Sequence, residues 1–236
     1  MNDEKKIATE RARVLMPSAS SVYRFGWDTM KKSFLDLFLV AVIIGAILIP
    51  LAMISSLDGG ETAGGVLLQI FSFAYWVLLL SPIEFGAAFL YLNAVRGRPI
   101  EVKDMFSVFE NYLNVVLAGL LKGTIIGIGI AMLLVPGIIF ACRLAFVRYL
   151  VMDRKMEPVA AVKESWRLTR GHAWDIFLIG LLAVPIAIAG LICFGVGIVP
   201  AIMWIRCAFA SMYYAVTGKQ EEAPSAPTPA QAGSTD

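Results

Sequence analysis

The chain has 236 residues, 58% of them apolar and 16% charged, with a net charge of +2 and a mean hydropathy of +0.75. Soluble domains run near 45–50% apolar and about 25% charged, so this composition excludes an ordinary water-facing surface. One histidine, His172, and three cysteines buried in apolar runs, Cys142, Cys193 and Cys207, leave no metal-ligand spacing and no nucleophile beside a histidine base; no metal, cofactor or catalytic residue is assigned.

Residues 1–20 form a polar N-terminal segment, and the first apolar run begins only at Leu37, too late and too long for a cleaved signal. Residues 37–57 run 21 residues without a charge and are the first predicted span. Residues 66–95 contain Gln69, Pro82 and Glu84 and predict one tilted or kinked span with an interfacial start. Residues 112–152 are 41 residues without a polar loop, roughly 60 Å as helix against a hydrocarbon core of about 30 Å, so the chain must turn within them. Val135-Pro136-Gly137 is the predicted turn. Residues 173–216 repeat the situation, with the turn expected between Gly195 and Pro200. The prediction is an all-α integral membrane domain of six transmembrane helices over residues 21–217, followed by a Pro-, Ala- and Ser-rich tail, 218–236, expected to be disordered.

Positive charge falls on one side of this scheme. Seven Lys/Arg precede span one, three lie between spans two and three, five lie between spans four and five, and Lys219 follows span six, while the opposite loops carry none. The positive-inside rule then places both termini in the cytoplasm of a bacterial inner membrane.

An internal repeat accompanies the spans. Asp36, Asn114 and Asp175 each open an apolar run, and nine residues before each stand Trp27, Met105 and Trp166. Pro17, Pro99 and Pro158 start the segments, whose apolar residues recur at helical spacing. Short amphipathic helices at the head-group layer, anchored by Trp27 and Trp166, fit this pattern. The unit, interfacial helix, span, turn and span, is used three times. Asp36, Asn114 and Asp175 are read as helix-entry residues.

The stretch Val135-Pro136-Gly137-Ile138-Ile139, followed by Arg143, Asp153, Ala160-Ala161, Ser165-Trp166-Arg167-Leu168-Thr169-Arg170-Gly171 and Trp174-Asp175-Ile176-Phe177, resembles uncharacterised bacterial multi-pass families. These are related to the membrane domain found with some glycerophosphodiester phosphodiesterases. The resemblance covers roughly residues 20–216 and implies a six-helix inner-membrane domain with no agreed activity. Phosphodiester hydrolysis is not implied, because the soluble barrel of the fused relatives needs about 250 residues of its own.

Ionisable residues inside spans are costly, about 2.5–3.5 kcal/mol each, and point to function by default. Glu84, Lys122, Arg143 and Arg206 qualify. Counted from the basic ends of their spans they lie roughly 13–17 Å deep, a common level near the bilayer centre. Two readings stand. The charges pair with each other and with carbonyls freed by Pro82, Pro136, Pro185 or Pro200, or they form an anion- or lipid-binding site in which arginine matches phosphate. Gly119, Gly123 and Gly127 give span three a small-residue face for close packing or oligomerisation.

The functional expectation is a non-catalytic inner-membrane protein that binds lipid, anionic lipid in particular, or a protein partner in organising the envelope. The alternative is a transporter or channel component for an anionic or amphiphilic solute. Partners are membrane lipids and a protein or a second copy of the chain; no nucleic acid is expected. Glu84 is the only acid deep in the predicted spans, so an intramembrane hydrolase lacks its second group.

Overall fold

A computed structural model describes residues 17–56, 63–192 and 197–222. It is an all-α multi-pass membrane fold, with six helices long and apolar enough to cross a bilayer. The elements are α1 (Ala19–Lys32), α2 (Phe34–Ser56), α3 (Ala63–Tyr75), a π-helical turn (Trp76–Leu80), α4 (Ser81–Arg96), a 3-10 helix (Val102–Asn111), α5 (Tyr112–Met132), α6 (Leu134–Arg143), α7 (Val147–Asp153), α8 (Pro158–Leu168), α9 (Ala173–Ile192) and α10 (Ile198–Glu222). The last helix thus continues past residue 217, where the membrane domain was expected to end. Residues 1–16, 57–62, 193–196 and 223–236 lie outside the described set, and with them most of the N-terminal segment, most of the tail and part of the last expected turn.

The second span is continuous from Gly64 to Arg96, 33 residues. The expected irregularity at Pro82 takes the form of the π-helical turn before it. Pro82 has no N–H to return to the Leu78 carbonyl, and that carbonyl instead accepts the Tyr112 hydroxyl at 2.8 Å. In α2, where Pro50 lies inside the helix, the Ile47 carbonyl accepts the Tyr75 hydroxyl at 2.8 Å, a bond that ties α2 to α3. Gly97, at φ 71, stops α4 by taking the left-handed conformation that a residue with a β-carbon resists, and its N–H caps the Ala94 carbonyl.

Two expectations about the third hairpin arm need correction. The turn between spans three and four falls at Leu133, which is extended at φ −166 and ψ 145, and not at Val135-Pro136-Gly137. Pro136 sits in the first turn of α6, where a missing N–H leaves no bond unmade. Gly137 is needed for another reason: a β-carbon there would lie 2.8 Å from the Ile130 nitrogen, so the two arms could not close. The fourth span is also broken. Between α6 and α7 the Val147 N–H turns to Leu144, leaving the Arg143 carbonyl without its helical partner. Ser165, fully buried on α8, donates its hydroxyl to that carbonyl at 2.7 Å.

The core lies at the end of the bundle that carries the Lys/Arg-rich segments. There α4, α7 and residues 207–217 of α10 are largely buried, and the three amphipathic elements pack around them. The 3-10 helix lies on α4, α8 on α7, and α1 on α10. Each repeat unit therefore lays its amphipathic helix on the second span of the preceding unit, and α1 on α10 closes the ring. Small residues permit the approach. A β-carbon on Gly86 would stand 2.1 Å from the Met105 carbonyl, and one on Gly26 would stand 3.0 Å from the Ala208 nitrogen. Burial pushes the Tyr23 hydroxyl up to about 12, so it stays protonated and donates to the Ile179 carbonyl at 2.8 Å, while Trp204 donates to the Tyr23 carbonyl at 2.8 Å.

The opposite end is different in kind. Large apolar side chains of α2, α3, α5, α6 and α9 are exposed there, as a lipid-facing surface requires. Among the described residues nothing lies within 4 Å of where a β-carbon on Gly123 or Gly127 would stand, whereas Gly119 closes on Ser81. Asp36 and Asp175 lie in the first turns of α2 and α9, where a negative charge complements the helix dipole, and Asn114 donates to Asn111 at 2.7 Å.

Candidate functional site

Glu84, on the first turn of α4, and Arg206, in the middle of α10, meet across the bundle with Nη2 and Oε1 3.4 Å apart. The contact is loose, and the two side chains keep 41% and 22% of their surface. Seven residues beyond Glu84, two turns along the same face of α4, Tyr91 places its ring 5.9 Å from the Arg206 guanidinium carbon. The Tyr91 hydroxyl and the Arg206 Nη1 are buried without a hydrogen-bond partner. Lys122 on α5 lies within electrostatic range of Glu84 and of Arg148, which stands on α7. Tyr149 feels both Arg148 and Arg206. Three of the four predicted residues thus belong to one charged cluster, joined by Arg148, Tyr91 and Tyr149.

Arg143 stands apart from that cluster. As the last residue of α6, it lays its guanidinium over the Trp166 ring at 5.6 Å. Its Nε and Nη1 are buried without partners. Its contacts are with α8, and none is with Glu84, Lys122 or Arg206.

The common depth of these four residues must also be reread. Counting 1.5 Å per residue back from Asp153 fails for Arg143, because the helix is broken between the two. Arg143 lies level with Ser165 and Trp166 of α8. Arg206 lies level with α1, through the Trp204 bond to Tyr23 and the approach of Gly26 to Ala208. The charged layer and the amphipathic helices occupy one level of the molecule. Among the described residues no arginine is bonded to the carbonyl that Pro82 frees; Tyr112 serves it at Leu78.

Nearer the basic end, Arg96 makes a bidentate pair with Asp153, one arm of it 2.7 Å, and Tyr213 donates to the same carboxylate at 3.1 Å. Both charged side chains are about six-sevenths buried, and Phe146 and Tyr149 pack on the Tyr213 ring at 5.6 and 5.0 Å. This fully paired group ties α4, α7 and α10 together. Sequence reading used Arg96 and Asp153 only as span ends. Their opposite charges at the ends of two even-numbered spans were the available signal.

No family model, curated protein or solved structure matches this chain.

Proposed function

We propose that the chain is a non-catalytic module of a bacterial inner membrane which holds an anionic lipid head group at its charged layer, with both termini in the cytoplasm. One observation carries this reading. Arg206 and Arg143 together bury three guanidinium nitrogens that no protein acceptor meets. Leaving a buried charged donor unmet costs about 1–3 kcal/mol or more, and an acceptor from outside the chain removes that cost. A phosphate suits it best, because a guanidinium offers paired donors in the geometry phosphate oxygens accept.

The level of the layer supports a lipid. Arg24, Lys31 and Lys32 on α1 and Lys163 and Arg167 on α8 are exposed, and such charges cannot rest in hydrocarbon. The arginines beside those helices therefore belong near the head-group boundary, not at the bilayer centre. Lipid phosphates stand there. The resemblance to uncharacterised multi-pass families related to phosphodiesterase-associated membrane domains, a group with no agreed activity, is compatible with a module that binds without catalysis.

The test is native mass spectrometry of the chain from nanodiscs containing phosphatidylglycerol. Arg206→Gln combined with Arg143→Gln should lower retained phosphatidylglycerol on the order of tenfold, the equivalent of about 1.4 kcal/mol. Lys32→Gln, on the exposed face of α1, should leave it unchanged. Equal retention by a folded double variant overturns the proposal.

A second reading, conduction of an anionic solute, is favoured by the break in the fourth span at Arg143, since discontinuous helices build many transport sites. Proteoliposomes that pass chloride or phosphate at a rate lowered by Arg206→Gln would select it over lipid binding.

A further inference from the structure

A cavity lies at the basic end, between α4, the 3-10 helix and the end of α7, with a volume of about 610 Å³. That is within the range of small-molecule sites, roughly 300–1,000 Å³. It shares no residue with the layer around Arg206 and does not depend on the reading given for that layer. Asn93 on α4 lines it and is 95% buried, yet its carboxamide makes no hydrogen bond within the protein, and Oδ1 is sealed from water without a donor. A buried amide oxygen left without a donor is rare and calls for a partner from outside. By a half-turn about its last torsion it can offer that partner either an acceptor or a donor.

The remaining walls carry both signs of charge. Arg98 and Lys155 supply cations, Asp104 and Glu110 supply anions, and Phe89 gives an apolar side. Only Lys155 and Glu110 approach each other, at 3.8 Å, and both stay largely exposed. Lys155 holds a left-handed backbone, φ 47, which a side-chain-bearing residue adopts only against resistance and which is found at ligand clamps. A simple anion would face two carboxylates here, and a simple cation two bases.

We propose that this cavity binds a small zwitterion joining a primary ammonium to a phosphate, the chemistry of a phosphoethanolamine head group. The phosphate lies toward Arg98 and Lys155. The ammonium lies toward Asp104 and Glu110 and donates to the Asn93 carboxamide oxygen. A trimethylated ammonium has no N–H to give, so the site discriminates against phosphocholine.

The experiment uses the full chain. In detergent, binding of glycerophosphoethanolamine and of glycerophosphocholine is measured by titration calorimetry; in nanodiscs, retention of phosphatidylethanolamine and of phosphatidylcholine is measured by native mass spectrometry. The ethanolamine form should be preferred on the order of tenfold, the effect of one unmet buried polar group. Asn93→Leu should abolish the preference, and Arg98→Gln, at the exposed rim where folding is not at stake, should weaken both ligands together. Binding of the soluble compound shows that the head group alone is enough, whereas preference in nanodiscs alone identifies a bilayer lipid as the source; each supports the proposal. No preference in either arm, or a preference untouched by Asn93→Leu and binding untouched by Arg98→Gln, overturns it.

Discussion

Leu134 and Phe146 belong to one apolar run and would score alike on any hydropathy scale, yet Leu134 is 66% exposed and Phe146 is fully buried. The first lies at the lipid-facing end of the molecule and the second in the core at the basic end. The difference teaches that hydropathy reports transfer out of water and not the identity of the new neighbour. Large apolar residues occur in both regions, and what the packed region adds to them is small and polar residues at the helix contacts. Where helices meet helices the chain supplies Gly26, Gly86, Ala87, Ala208, Ala210, Ser165 and Ser211, all buried. Where helices meet lipid it supplies Leu, Ile, Phe and Val. Without a hydrophobic drive between helices in lipid, close backbone approach and polar links must hold the spans together.

Glycine substitutions should break this comparison most sharply. Gly86→Val drives side-chain atoms into the Met105 carbonyl, which a β-carbon alone would meet at 2.1 Å. Backbone cannot yield cheaply, so a loss of about 3 kcal/mol or more is expected, read as loss of a monodisperse peak in detergent. Gly127→Val, on the lipid-facing end with nothing within reach, should change the melting temperature little. Equal effects at the two sites would show that the two regions are not packed differently.

Next in size is the Arg96–Asp153 pair. Asp153→Asn leaves a mostly buried guanidinium without its counter-charge and leaves one amide oxygen where Arg96 and Tyr213 shared two carboxylate oxygens, and about 3 kcal/mol of stability should be lost. Replacing both partners together, Arg96→Met with Asp153→Leu, should restore much of it, because a buried pair gives little net stability over apolar packing. Thermal melts of the three variants decide. A smaller effect, about 1 kcal/mol, is expected for Tyr112→Phe, which leaves the Leu78 carbonyl unserved beside Pro82. An unchanged melt there would mean that another group takes over the carbonyl.

Much of this architecture was legible in the chain. Long apolar runs marked the six spans, and the repeated proline, Trp or Met, and Asp or Asn positions marked the three amphipathic elements. Pro82 marked an irregular turn. The exact bend at Leu133 was not legible, because a proline in a first helical turn looks the same in sequence as a proline in a loop. The break at residues 144–146 escaped for a related reason: its unmet carbonyl is answered by Ser165, a residue 22 positions away that nothing local connects to it. In the candidate site, Glu84 and Arg206 were identifiable because charges in apolar runs are conspicuous. Tyr91 and Asn93 were not, since a polar residue near a span end is ordinary until its missing partner is seen. Counting residues to a common depth assumes unbroken helices upright in the bilayer, and it takes no account of the break at residues 144–146 or of the amphipathic helices packed beside the charges.

The smallest expected effect is one of pH, and it should appear only at the basic end. On α8, Arg167 donates twice to Glu164, at 2.8 and 2.6 Å, and Arg154 adds a more distant charge at 3.8 Å. The hydrogen bonds from Arg167, foremost, hold the Glu164 carboxyl below its usual range. In the unfolded chain the carboxyl titrates near its ordinary value, about 4.3. Above that value both states are ionised and the stabilisation is fully present. As pH falls below it, the unfolded chain takes up its proton first, and the stabilisation is lost as pH drops through the lowered folded value. Arg167 is more than half exposed, so solvent screens the pair and no more than about 0.5 kcal/mol is at stake. Melting temperatures of the parent chain and of Glu164→Gln should therefore differ slightly at pH 7 and converge near pH 3. The described residues of α2 beyond Asp36 carry no titratable side chain, so Leu48→Ala on its exposed face should shift melting equally at both pH values. A Glu164→Gln chain that keeps the full acid sensitivity of the parent would remove this carboxylate from the account.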